Sequence, residues 1–173
     1  GTGIILAVVG IIDDIYNISS GIRFLAQILA SIIALTYLGG LNKVDLGFYV
    51  FENTWVLTPI AFFAILWFIN VFNFLDGIDG YLGSELLFIT LSAGFLFSSG
   101  LNIILGIIVL GFLVVNWPKA KIFMGDVGST LSGFTIAVFA IYFQNTSISS
   151  IFIWIMLSSL FWFDATYSCT AVT

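Results

Sequence analysis

Five aspartates in three short stretches are the residues of this chain best suited to chemistry. Asp13 and Asp14 lie in IIDDIYNIS (Ile11–Ser19), Asp76 and Asp79 in NVFNFLDGIDG (Asn70–Gly80), and Asp126 in NWPKAKIFMGDVGS (Asn116–Ser129). Carboxylates crowded onto short loops repel one another unless a cation stands between them. The sequence has no histidine and one cysteine, so a metal held by these groups takes oxygen ligands. That donor set suits Mg²⁺ or Mn²⁺, and Mg²⁺ commonly uses one or two protein carboxylates and completes its shell with phosphate and water.

Two familiar loops fail on register. If Asp76 were the first ligand of an EF-hand, the twelfth position would be Leu87 rather than a bidentate Glu. GDVGST (Gly125–Thr130) lacks the lysine of a P-loop. Its glycines still let backbone amides approach a phosphate at the start of the next helix, where Ser129 or Thr130 is the expected cap.

The elements that position these acids are membrane helices. The chain is 61% hydrophobic, 17% aromatic and 8% charged, with a mean hydropathy of +1.20, far outside the soluble range. Long apolar runs rich in Leu, Ile, Phe and Gly predict helices rather than barrel strands. The expected fold is all-α, a polytopic membrane helical bundle with catalytic cytoplasmic loops, forming one transmembrane domain over residues 1–173. About seven spans are expected, at 1–12, 22–39, 57–72, 84–99, 102–115, 130–143 and 149–163, with a small exterior hairpin within 39–58. Residues 1–12 are too short for a complete span and lack an initiator Met, so the chain reads as an internal fragment. Cys169 has no partner for an intrachain disulfide and reads as a small core or lipid-facing residue. The five tryptophans and six tyrosines read mostly as interfacial belt or packing residues.

Counting crossings puts Asp13, Asp14, Asp76, Asp79, Asp126 and Asp164 on one face, leaving Asp45 and Glu52 opposite. Arg23, Lys119 and Lys121 share the acidic face and Lys43 lies across from it. The positive-inside rule makes the acidic face cytoplasmic. Asp76 and Asp79, three residues apart, fall on roughly one side of a helical or turn-like backbone, and Gly77 and Gly80 permit tight turns there.

The three motifs, in this order, resemble those of the polyprenyl-phosphate N-acetylhexosamine-1-phosphate transferases, the family of the phospho-MurNAc-pentapeptide transferase and the O-antigen initiating enzymes. The tail FWFDATYS (Phe161–Ser168), NFLDGIDG and Glu85 look closer to the O-antigen branch, and Asn17 stands where the peptidoglycan branch commonly has a basic residue. The resemblance implies transfer of a phospho-N-acetylhexosamine from a UDP-sugar to undecaprenyl phosphate with release of UMP, dependent on Mg²⁺ with Mn²⁺ as a substitute. It implies a multi-pass protein of the bacterial inner membrane with its site on the cytoplasmic face. Its partners are UDP-N-acetylhexosamine, undecaprenyl phosphate and membrane lipid, with a homodimer as the expected assembly and no nucleic acid.

By the same resemblance Asp126 is the first metal ligand and Asp76 binds metal or diphosphate. Asp13, with Asp14 nearby, is the base that deprotonates or orients the lipid phosphate. Asp79 lies near the uracil edge, and Phe123 offers a stacking face. Asn70 and Asn73 orient carboxylates or phosphate, Arg23, Lys119 and Lys121 contact phosphate or anchor the topology, and Asp164 sits nearby without a direct chemical role. The family's N-terminal helices and a later histidine-bearing loop are expected outside these residues. The peptidoglycan branch is one alternative. An ion- or proton-coupled transporter is another, but it would place acids in broken helices near the bilayer midplane, whereas these gather at loop junctions. A CDP-alcohol phosphotransferase would show Ala-Arg shortly after its DG pair, which neither Gly77 nor Gly80 precedes. A noncatalytic membrane scaffold completes the set.

Overall fold

A computed structural model describes residues 2–46 and 48–171; the side chains at 165, 166 and 168–171, including Cys169, lie outside that description. The described chain is helical apart from one hairpin: α1 (Gly3–Tyr16), α2 (Ser20–Leu38), β1 (Val44–Asp45), β2 (Val50–Phe51), α3 (Thr54–Leu75), α4 (Tyr81–Leu96), α5 (Gly100–Asn116), α6 (Gly125–Asn145), α7 (Ile151–Leu157) and α8 (Ser159–Ala171). Each expected apolar segment falls on a helix, the last on two. The all-α expectation is modified only by the antiparallel β1–β2 pair, Val44 opposite Phe51, inside the expected exterior hairpin.

In hydrocarbon a backbone must satisfy its own polar groups, which is why apolar runs of this length become helices. Three of them, α2, α3 and α6, are long and apolar enough to cross a membrane. The 19 residues of α2 and 22 of α3 rise about 28 and 33 Å at roughly 1.5 Å per residue. The apolar helices α4 and α5 are shorter, at 16 and 17 residues.

The chain divides into two compact units, Gly1–Asn73 with Met124–Ile151, and Phe74–Phe123 with Phe152–Thr173. In the first, α1 packs on α6 and α2, and α2 packs on α6. Its core is built from Leu6, Ala30, Ala34, Ile65, Ile69, Phe134, Ala137 and Ile141. Small residues let the backbones approach, as is common between membrane helices. A Cβ built on Gly10 would stand 2.8 Å from the Val127 Cα, and one on Gly133 would stand 2.6 Å from the Phe68 carbonyl oxygen.

The far end of this unit is closed by neutral groups. Gly39, left-handed at φ 72, caps α2, a conformation that glycine adopts without a Cβ penalty. Asn145 at the end of α6 donates to the carbonyls of Leu38 (3.2 Å) and Gly40 (2.7 Å) and accepts from the Asn42 amide (3.1 Å). In the second unit α4 packs on α5, with Gly83 against Leu113 and Gly94 against Ile103.

Candidate active site

The near end of the first unit gathers its charge. The α1 helix stops where Asn17 turns left-handed at φ 49 and donates its N–H to the Asp13 carbonyl. Asp13 therefore sits in the last turn, where the helix dipole disfavours an anion, and it is buried. Its compensation comes from the first turn of α2, where Arg23 Nη1 donates to Asp13 Oδ2 at 3.0 Å. The same nitrogen donates to Asp126 Oδ2. Asp126 lies in the first turn of α6, the end that favours a carboxylate.

The α1–α6 approach at Gly10 sets this spacing, because Gly10 is one turn before Asp13 and its contact, Val127, follows Asp126. Asp14 is exposed, and its carboxylate oxygens lie 3.5 and 3.8 Å from where a Cβ on Gly125 would stand. One α1 turn thus brings both acids of the first motif to the start of α6.

Two asparagines at the end of α3 join this cluster. Asn70 Nδ2 donates to the buried Gln27 at 2.9 Å, and Asn73 accepts from the Ser129 hydroxyl at 2.8 Å. A cavity of about 440 Å³ opens among these helices, within the range of small-molecule sites. Arg23, Gln27, Asn70, Asn73, Asp126 and Thr130 supply polar lining, and Leu6, Val9, Phe24 and Ala26 apolar lining.

The second unit carries the remaining sequence candidates. Asp76 is buried just after α3, while Asp79, Lys119, Lys121 and Phe123 are exposed. Asp79 accepts the Ala120 N–H at 3.1 Å. Asn116, buried, accepts from the Gly80 N–H at 3.1 Å and donates to the Ile122 carbonyl at 2.8 Å. These bonds tie the DGIDG turn to the loop before FMGD. Gly80 is left-handed, φ 69, and a Cβ there would meet Pro118 at 3.3 Å. Tyr81 stacks on Phe161, three residues before Asp164 on α8.

The expected cap at Ser129 or Thr130 is displaced. The α6 helix begins at Gly125 behind Met124, so both residues lie in its second turn; Thr130 donates to the Asp126 carbonyl, and the single Ser129 O–H is shared between the Gly125 carbonyl and Asn73. Gly125 supplies the positive φ, 66, that starts the helix this early. Gln27 and Asn116 were not singled out as site residues from sequence. The available signal was an uncharged amide inside or at the end of an apolar helix, which is costly unless partnered.

The donor set fits a hard cation. Asp13 Oδ2 and Asp126 Oδ2 converge on one nitrogen. Among the described residues no three His, Cys, Asp or Glu side chains form a cluster able to hold a metal by themselves. Two carboxylates completed by phosphate and water are a normal Mg²⁺ shell.

Residues 1–144 match glycosyl transferase family 4. The chain belongs to that family. It is 30% identical over 95% of its length to a probable undecaprenyl-phosphate N-acetylglucosaminyl 1-phosphate transferase of Bacillus subtilis (strain 168), covering 49% of that protein. It is 32% identical over 76% of its length to the undecaprenyl-phosphate alpha-N-acetylglucosaminyl 1-phosphate transferase of Escherichia coli O157:H7, covering 40%. It is 31% identical over 78% of its length to the decaprenyl-phosphate N-acetylglucosaminephosphotransferase of Mycobacterium leprae (strain TN), covering 39%. The chain spans less than half the length of each of these relatives.

Proposed function

We propose that the protein transfers N-acetylglucosamine 1-phosphate from UDP-N-acetylglucosamine to undecaprenyl phosphate, releasing UMP, with Mg²⁺ or Mn²⁺ as cofactor. The observation that carries this reading is the pair Asp13 and Asp126 meeting at Arg23 beside a cavity lined by both polar and apolar side chains. Family membership and the relatives' names support the sugar and the lipid class.

In this reading a lipid phosphate oxygen attacks the phosphorus that bears the sugar. The new P–O bond forms as the bond to UMP breaks. Asp13 accepts the proton of the lipid phosphate or orients its dianion; the second pKa of a phosphate monoester lies near neutrality, so an ordinary carboxylate suffices. Asp126 would hold the divalent cation, with Asp13 beside it, and Asp14 stands at the start of α6 within reach of the same region. The bound cation would neutralise charge on the phosphates. Asn70, Asn73 and Arg23 supply donors along the cavity. In the second unit Asp76 contributes to metal or diphosphate binding, Asp79 and Phe123 to the uracil, and Lys119 and Lys121 to phosphate. The fuller reading adds seven crossings, a cytoplasmic-facing site in a bacterial inner membrane, a homodimer and a role in O-antigen or related envelope polysaccharide synthesis.

The test offers UDP-N-acetylglucosamine, UDP-N-acetylgalactosamine and UDP-MurNAc-pentapeptide to membranes containing the protein and undecaprenyl phosphate, with Mg²⁺ or with EDTA. The expected result is product lipid and UMP from UDP-N-acetylglucosamine only when the cation is present. Turnover that survives EDTA overturns the metal-dependent reading, and preference for the pentapeptide donor moves the protein to the peptidoglycan branch.

A further inference from the structure

We propose that Arg23 is the resident counter-ion of the acidic site: it holds Asp13 and Asp126 until Asp126 takes up a divalent cation, and then turns to the substrate phosphate. The inference rests on the metal-dependent reading above and deepens it by assigning an order to binding.

Sharing is the observation that carries it. A single nitrogen, Arg23 Nη1, contacts Oδ2 of Asp13 and Oδ2 of Asp126. A divalent cation held by that Asp126 oxygen would stand directly beside a guanidinium still bonded to it. Both are cations in a site partly shielded from water, so they repel. Where the cation takes that same oxygen, Arg23 gives up Asp126 as it arrives.

Both of the Arg23 bonds use Nη1, and among the described residues none engages Nε or Nη2. Arg23 also lines the cavity, beside Gln27, Asn70 and Thr130. A released guanidinium keeps its planar donor fork, which matches phosphate oxygens, and a long stem on the first turn of α2 gives it room to turn. Before release it serves the fold. Asp13 is buried at the wrong end of a helix dipole, and without a cation two carboxylates would face each other at the α1–α6 contact. The exchange makes cation binding precede the firm capture of phosphate.

Two measurements on the protein in lipid nanodiscs test this. Arg23 is the one arginine of the sequence, and its guanidinium signal in ¹⁵N-arginine NMR is assigned by its loss in Arg23→Lys. In the metal-free protein the Nη group should show the slow rotation of a held ion pair, and saturating Mg²⁺ should release it. Separately, Mn²⁺ affinity read by EPR without substrate should be about tenfold tighter in Arg23→Gln, because the competitor is gone. A guanidinium signal indifferent to saturating Mg²⁺, or Mn²⁺ affinity unchanged or weaker in Arg23→Gln, overturns the exchange alone. Absence of Mn²⁺ binding in both proteins overturns the exchange together with the metal-dependent reading. If Arg23→Gln does not fold, the NMR result on the parent protein decides.

Discussion

At one end of the first unit, α1, α2 and α6 meet through a guanidinium shared by two carboxylates. At the other, α2 and α6 meet through three hydrogen bonds of the neutral Asn145 amide. The ionic end is made of charged side chains, which can exchange one ionic partner for another. The amide end is fixed, because backbone carbonyls offer nothing to exchange. The difference separates a place that can do chemistry from a place that fastens helices, and it predicts opposite outcomes for mutation at the two ends.

The largest effect should come from Asp126→Asn. Shape is kept and Arg23 retains Asp13, so the melting temperature should stay close to that of the parent. The charge is lost, and UMP release should fall at least about 10³-fold, the scale of losing a key electrostatic stabiliser. A variant that keeps a tenth of its turnover would remove Asp126 from the chemistry.

Next is Gly10→Ala, which adds no charge and removes none. Its Cβ would press on the Val127 backbone, so α1 and α6 must shift by a fraction of an ångström and carry Asp13 away from Asp126. A 1 Å misplacement costs about 10²-fold in turnover, so a loss of about 10-fold is expected from this smaller shift. Circular dichroism should be unchanged. Wild-type rates in a variant shown to fold would mean that the α1–α6 spacing does not set the geometry of the acids.

The fixed end should answer in the other way. Asn145→Ala leaves the Leu38 and Gly40 carbonyls and the Asn42 amide without their side-chain partner. An unfolding cost of about 2 kcal/mol is expected from partly buried groups left unpaired, with turnover per folded molecule unchanged. Thermal unfolding in detergent, followed by UMP release normalised to folded protein, separates the two quantities. Lost turnover at full stability would break the division between the ends.

The charged end of the first unit was largely legible in the sequence because Asp13, Asp14 and Asp126 are conspicuous in an apolar chain. Within the first unit the end of α1, the starts of α2 and α6 and the end of α3 meet through Arg23, Asn70 and Asn73. The partner of Arg23 was not legible. It lies 10 residues from Asp13 and 103 from Asp126, and only packing decides whether a guanidinium at a helix start meets a carboxylate, a lipid headgroup or a substrate. The amide end was less legible still. Asn145 differs from the other polar residues near helix ends only in what happens to lie beside it, and hydrophobic periodicity carries no signal for that. The start of α6 was misjudged by five residues because GDVGST reads as a loop. Gly125 instead supplies the one positive φ that the helix start needs, and the serine and threonine return their hydroxyls to the helix's own carbonyls.

Asp79 gives the smallest effect and the sharpest test, because it is a carboxylate used as the amides are used. It accepts one backbone N–H, from Ala120, at an exposed position, and a bond there needs an oxygen but no charge. Asp79→Asn keeps that oxygen and should match the parent in stability, whereas Asp79→Ala should lose about 0.5 kcal/mol, the low end for a solvent-accessible hydrogen bond. Stability alone therefore orders the variants as parent, Asn, Ala, with the first two nearly equal. A contact between the Asp79 carboxylate and the uracil edge would order them differently: an acceptor is needed toward the base N–H, Asn can turn its amide either way, and KM for the UDP-sugar would rise in both variants at unchanged stability for Asn. Measuring unfolding and KM on the same two variants thus decides whether the DGIDG turn belongs with the fixed fastenings or with the exchanging charges.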